Sequence, residues 1–383
     1  MIKLGVLKEM AAGEARVALV PDHVPGLSSA GLTVLVEEGA GEASGFTDQE
    51  YKSKGAGVQP RQEVVSAAEV LLTVRTAAAV PAKEWQAYSG LKEGAVIIGF
   101  ADPYQSHPSF ADLSKQKVSL LAMELMPRIT RAQSMDALSS MANLGGYKAV
   151  LLAADHLPRI LPMLMTAAGT ILPAQVFVLG VGVAGLQAIA TAKRLGGVVS
   201  AYDIRPEVKE QVQSLGAKFL QVELESSEME TDGGYAKEMD EEFYRRQREM
   251  MNKVVAESEV IITTAAVPGK TAPTLVTEEM VQQMKPGSVI VDLAAERGGN
   301  CELTKAGETV KVHGVTIIGP TDIPSHLAFN ASRLYSKNIT SFFLHLLQEG
   351  ELELNREDEI TGKTMVLDRG APVSDEFRNR LEL

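Results

Sequence analysis

The 383-residue chain exceeds what one hydrophobic core usually serves, so two domains of roughly 150 to 200 residues each are expected. Its 45% hydrophobic and 22% charged residues exclude a disordered or collagen-like chain. The 49 acidic against 37 basic residues, a net charge of -12, disfavour nucleic acid and anionic lipid as partners. A single cysteine, Cys301, rules out an intramolecular disulfide and a Cys-rich zinc site, and fits a reducing cytosol.

The opening MIKLGVLKEM carries Lys3, Lys8 and Glu9 before any apolar run, which is not the pattern of a signal peptide. Short apolar runs then recur as IKLGVL, TVLVEEG, VLLTVR, AVIIGF and VSLLAME, each suited to a parallel strand. Between the first of them, DHVPGLSSAG and DQEYKSKGAG have the length and terminal glycines of crossover helices. This pattern predicts a βαβ domain. MPRITRAQSMDALSS breaks it with two arginines and a Ser-rich turn, and leads into the helical pattern NLGGYKAVLLAADHL. The stretch from Ile160 to Ala192 has no charge and is long enough for a membrane span, but Pro162, Pro173, Gln175, Gln187 and its glycines would leave unsatisfied backbone in lipid. A helix, a turn, a buried strand and a second helix are expected there instead. A second βαβ series follows through QVFVLG, VVSAYD, AKFLQV, EVIITTA, SVIVDLA and VTIIG, closing near Pro320. In ASRLYSKNITSFFLHLLQ, Leu334, Ile339, Phe342, Phe343 and Leu346 recur at helical spacing, and this helix is expected to return to the first domain. The tail is expected to be partly ordered around the strand-like TGKTMVLDRGAP. The expected fold is therefore α/β, with two Rossmann-like doubly wound domains and a nucleotide cleft between them. The first is discontinuous, residues 1–136 with 328–383, and the second covers 137–327.

The chemistry concentrates in VFVLGVGVAGLQAIATAKRLGG, where Gly180, Gly182 and Gly185 follow an apolar strand and open a helix, with Val181, Val183 and Ala184 completing the loop. Gly180 permits a tight turn, Gly182 lets backbone approach a pyrophosphate, and Gly185 allows close helix-to-strand packing. The next strand ends in Asp203, 18 residues after Gly185, where a carboxylate accepts ribose hydroxyls and repels a 2′-phosphate. NAD is therefore favoured. Arg205, beyond Ile204, either stacks on adenine or binds the extra phosphate of NADP. At later strand ends, Thr263, Thr264 and Ala265, then Asp292, Leu293 and Ala294, fall where an open α/β sheet lines its ligand crevice. The long polar segment ELESSEMETDGGYAKEMDEEFYRRQREM, with Tyr235 beside Gly233 and Gly234, is either a lid or a solvated insertion.

A dehydrogenase acting on a carbonyl or imine usually needs an acid or base, yet none of the six histidines sits in a motif. PRITRAQSMDALS offers Arg128, Arg131, Gln133, Asp136 and Ser139, which are orienting groups more than acids. The same residues also fit a helix N-terminus capped by Asp136 or Ser134, with the arginines in solvent.

Several stretches carry a family likeness: GVLKE with GEARVALVP, PRITRAQSMDALSSMANLGGYKAV, VLGVGVAGLQAIATAKRLGG, YDIRPEVKEQVQSLGAKF, DGGYAKEM and IVDLAAERGGNCE. They closely resemble the NAD(H)-binding component of proton-translocating NAD(P) transhydrogenase, up to about residue 348, and more distantly alanine dehydrogenase. The resemblance implies a homodimeric subunit in the cytoplasm, peripheral to the membrane through an NADP(H)-binding component and a membrane proton-channel component. It implies Re/Si-specific hydride transfer from NADH on this chain to NADP+ on the partner, without an acid or base. Such transfer needs alignment and exclusion of water. It assigns Arg128, Gln133 and Asp136, with Ser139 nearby, to orienting the nicotinamide and its ribose, and Gly234, Tyr235 and Ala236 to a loop that closes over the nucleotide. Alanine dehydrogenases use a lysine and a histidine near the first domain's strands. Here VLLTVRTAAAVP has Arg75 in the comparable strand and no histidine directly follows IIGF, so amino-acid dehydrogenation is disfavoured.

Overall fold

The computed structural model describes residues 1–76, 88, 90–105, 107–221, 241–266 and 269–380. The chain divides into two compact units, residues 1–141 with 324–383 and residues 142–323. The first is assembled from both ends of the chain.

In the first unit, six parallel strands run in the order Ser119–Ala122, Val96–Phe100, Val70–Arg75, Lys3–Val6, Thr33–Glu37, Gly57–Gln59. Lys3–Val6 lies between Thr33–Glu37 and Val70–Arg75, so the sheet grows outward from its first strand in both directions, the doubly wound pattern. Strands covered on both faces read as continuous apolar runs, and Val70–Arg75 buries every residue except its terminal arginine. Gly57–Gln59 is an edge strand of three half-exposed residues, too short to signal itself by periodicity. Among the crossovers, Asp48–Ser53 starts with a reciprocal capping box between Thr47 and Glu50.

The C-terminal segments complete this unit. In the helix Ala328–His345, Tyr335, Ile339, Phe342 and Phe343 are buried, as is Leu346 just beyond it. Leu334 departs from the expected face and is 41% exposed, because five residues from Ile339 is about 140° around a helix. The same helix supplies hydroxyls to the buried, non-strand segment Val17–Val20. Ser332 and Ser336 accept from the Val17 and Val20 N–H groups at 3.0 Å each, so these donors are satisfied without a ladder. The tail is more ordered than expected, since Met365–Asp368 pairs antiparallel with Ser119–Ala122 and puts Val366 and Leu367 into the core.

A buried ion pair holds the remaining N-terminal loop. Glu14, its side chain wholly buried, accepts from Arg16 at 2.5 and 2.7 Å, from Arg75 at 3.1 Å and from Ser325 Oγ at 2.6 Å. Burial opposes ionisation of Glu14, but the Arg16 hydrogen bonds and charge with the Ser325 bond outweigh it and lower its pKa to about 2.

In the second unit, the strand order is Lys218–Phe219, Val198–Tyr202, Gln175–Leu179, Val260–Thr263, Val289–Asp292, Val315–Ile318, with Thr309–Val312 antiparallel at the edge. Its first parallel strand, Gln175–Leu179, again lies between neighbours on either side, which makes its C-terminal end the switch point of the sheet. The helix expected after Ile160 is absent. Leu164–Thr166 and Gly169–Ile171 form an antiparallel hairpin with all six strand residues exposed. Pro162 and Pro173 bracket too short a span for a helix, and Gly169 at φ 131° turns the chain. The Ser-rich turn is a 3-10 segment, Thr130–Met135, that runs into the helix Ala137–His156. Among the described residues, no helix is long and apolar enough to cross a membrane.

Because the pKa of Glu14 is depressed in the fold, its stabilisation is present above about pH 4.5 and lost as pH falls toward 2. Glu14→Gln should cost about 3 to 5 kcal/mol at neutral pH, by leaving Arg16 unpaired, and should flatten that acid limb. Urea unfolding at stepped pH measures both.

Candidate functional site

The glycine loop sits at the switch point and is shaped by three close approaches. Gly180 has φ 88°, a left-handed conformation that L side chains rarely adopt, and a Cβ there would lie 2.8 Å from Thr264 Oγ1. A Cβ on Gly185 would lie 2.0 Å from the Gly180 carbonyl oxygen, so the first helical turn is pressed onto the end of the strand. That same oxygen accepts from Thr264 Oγ1 at 2.9 Å. Gly182, by contrast, is exposed with nothing within 4 Å of where a Cβ would be. It is also the N-cap of the helix Val183–Arg194 and makes no side-chain cap hydrogen bond. Open backbone at a helix N-terminus is what an anionic group needs: N–H donors, a positive dipole end and room to approach. Val183 is exposed and Ala184 half-buried on the same turn, while Val181 packs into the core.

Asp203 closes this loop from the neighbouring strand. It accepts from the Val181 N–H at 2.6 Å, tying the strand end to the glycine loop. It also accepts from the Arg205 N–H at 2.9 Å and from Arg205 Nε and Nη2 at 3.0 Å each. Burial acts to raise its pKa, but the Arg205 and Val181 hydrogen bonds and the Arg205 charge prevail and hold it below the ordinary aspartate value. Ile204, between them, is 69% exposed.

The later strand ends are fixed by a network that spacing did not reveal. Asp292 is fully buried and accepts from Thr263 Oγ1, Thr304 Oγ1 and the N–H groups of Ala294, Asn300 and Cys301 at 2.7 to 3.0 Å. It therefore serves the loop rather than a ligand, a correction to its place among the crevice candidates. Asn300, also buried, accepts from the Ala265 N–H at 3.0 Å and donates to Ala265 O and Pro273 O at 2.8 Å each. Thr264 and Ala265 are thus held against the glycine loop, and Leu293 follows Thr263 through a 2.9 Å backbone bond. Asn300 stands in GGNCE, where a buried amide is invisible without the fold. Gly146 was also missed as a site residue. A Cβ there would meet the Ala184 carbonyl at 2.1 Å, so only glycine lets the helix Ala137–His156 lie against the first turn after the loop.

In the first unit, Asp136 caps the helix Ala137–His156, accepting from the Ser139 N–H at 2.9 Å and from Ser139 Oγ at 2.5 Å. Arg128 and Gln133 are exposed. Arg131 pairs with Asp358 at 2.7 Å, and Asn338 donates to Ser134 O at 2.9 Å. The structure thus joins Asp136 to Ser139 and holds the preceding 3-10 turn from the C-terminal helices. Gly234, Tyr235 and Ala236 lie outside the described residues.

Two family models match consecutive stretches of the chain: "Alanine dehydrogenase/PNT, N-terminal domain" over residues 5–145 and "Alanine dehydrogenase/PNT, C-terminal domain" over residues 149–375. The chain belongs to the alanine dehydrogenase/PNT family. Within that family it is 48% identical over 377 residues to an NAD(P) transhydrogenase subunit alpha chain of Rhodospirillum rubrum, covering 97% of this chain and 98% of that one. A solved transhydrogenase from Sinorhizobium meliloti superimposes with a TM-score of 0.87 at 46% identity, covering 97% of this chain and 99% of that one. An L-alanine dehydrogenase structure shares the fold at a TM-score of 0.79 and 24% identity, covering 100% of this chain and 99% of that one.

Gly146→Ala should destabilise the second unit by about 1 to 3 kcal/mol through overpacking against Ala184. Gly182→Ala, in open space, should cost less than about 1 kcal/mol. Thermal and urea melts of the two variants compare them directly.

Proposed function

We propose that this chain is the NAD(H)-binding subunit of a proton-translocating, Re/Si-specific NAD(P) transhydrogenase. It passes hydride directly between NADH and NADP+ held on a partner component, coupled to proton movement through a membrane component. The observation that carries this is the glycine loop closed by Asp203, in a chain 48% identical over 97% of its length to a transhydrogenase alpha-subunit chain. The second unit fits NAD(H), with open backbone at Gly182 for a pyrophosphate and a carboxylate at the ribose position.

Bound NADH supplies the hydride at its dihydronicotinamide ring. The residues of this chain bind, align and keep water out. In this proposal Gly180, Val181, Gly182, Val183, Ala184 and Gly185 hold the pyrophosphate, and Asp203, Ile204 and Arg205 border the adenosine ribose. Thr264, Ala265 and Leu293 flank the nicotinamide end. Arg128, Gln133, Asp136 and Ser139 orient the nicotinamide and its ribose, with Asp136 acting through its hold on Ser139. Gly234, Tyr235 and Ala236 close over the nucleotide. No residue has to accept a proton, which accounts for a site without a motif-bound histidine.

The subunit is proposed to be a homodimer, cytoplasmic and peripheral to the membrane through its partners. Self-association is supported by the hairpin, where Met163, Leu164, Met165, Ile171 and Leu172 are 46 to 78% exposed on an uncharged segment.

The test mixes the chain with a recombinant NADP(H)-binding transhydrogenase component and follows hydride exchange between NADH and a spectrally distinct NADP+ analogue. Transfer only in the mixture is expected, whereas NAD reduction by an amino acid without any partner would replace the proposal with an alanine dehydrogenase activity. Gln133→Asn should leave NADH affinity nearly unchanged and slow transfer by up to roughly a hundredfold, because small misplacements of reacting rings are costly. Stopped-flow transfer rates beside equilibrium NADH binding separate the two effects.

A further inference from the structure

We propose that Arg205 is a built-in occupant of the ribose acceptor on Asp203, and that its displacement tunes the preference for a free 2′-hydroxyl over a 2′-phosphate. This rests on the nucleotide-binding proposal above and concerns a residue whose side chain lies wholly within the second unit's own site.

An ionised carboxylate offers about four lone-pair positions. At Asp203 four donors of this chain already use them: the Val181 N–H at 2.6 Å, the Arg205 N–H at 2.9 Å, and Arg205 Nε and Nη2 at 3.0 Å each. The two backbone donors are part of the loop itself. The other two belong to one guanidinium, which also reaches Val181 O at 3.3 Å. A ribose presenting its 2′- and 3′-hydroxyls as donors meets an acceptor with no position left. Only the Arg205 guanidinium can leave without unmaking the glycine loop. Its side chain is 49% exposed against 8% for Asp203, so the arginine moves into water at low cost while the carboxylate stays.

Two consequences follow with opposite signs. For NADH, Arg205 is a competitor, and its removal frees the acceptor. For NADPH, Arg205 is a shield that offsets the Asp203 charge and, once released, remains on a tether beside the 2′-phosphate, so its removal leaves bare repulsion. A half-exposed ion pair contributes little, so the NADH effect is modest.

The experiment titrates the full-length chain with NADH and with NADPH by calorimetry, for wild type, Arg205→Gln and Arg205→Lys. Arg205→Gln should bind NADH about two- to fivefold more tightly and NADPH roughly tenfold more weakly. Arg205→Lys should gain a fraction of the NADH effect, because a point charge cannot hold both carboxylate oxygens, yet keep most NADPH binding. Unchanged or weaker NADH binding by Arg205→Gln would overturn the assignment, as would parallel shifts in both affinities. Wild type that fails to bind NADH at all would remove the nucleotide proposal itself, a result distinct from any difference among the variants.

Discussion

The Gly180 carbonyl oxygen is the point on which the ligand side of the second unit depends. Thr264 Oγ1 donates to it from one neighbouring strand end, and the Gly185 Cα approaches so closely that any side chain there would overlap it. Strand, loop and helix can converge this tightly only where two of the three partners lack a Cβ. The result is a helix N-terminus delivered to the switch point of the sheet with its first N–H groups facing open space at Gly182. The further glycine at 146 extends the same constraint, because it brings the helix Ala137–His156 against Ala184.

Around that point the polar groups divide into those that support and those that remain available. Asp292 and Asn300 are buried and fully engaged, and they fix the turn carrying Thr264 and Ala265. Asp203 is also engaged, but half of its partnership is with an exposed side chain that is free to swing outward. This difference in exposure, rather than residue type, separates a structural aspartate from a binding one. Both carboxylates end strands of the same sheet.

The first unit is held by different means. Its N-terminal loop has no ladder, so backbone donors are answered by Ser332 and Ser336 and charge is answered by the Glu14–Arg16–Arg75 cluster. The serine contacts join residues more than three hundred positions apart, which makes the unit dependent on the return of the C-terminal helix and strand. Asp136 likewise works locally, as a helix cap that positions Ser139.

The sequence by itself determined much of the α/β pattern. Buried parallel strands are continuous apolar runs, and the glycine spacing with Asp203 follows from local backbone needs, so both are written within short windows. The family likeness, too, lay in contiguous stretches. What only the tertiary structure decided are contacts between distant segments. The apolar, proline-bracketed stretch after Ile160 became an exposed hairpin because nothing local separates a short apolar helix from a strand pair. Leu334 faced outward, and the tail joined the first sheet, because the partner surfaces come from elsewhere in the chain. Asn300, Gly146 and the Arg205 hold on Asp203 share that reason. A buried amide, a missing Cβ and a filled lone pair have meaning only once the group they meet is known.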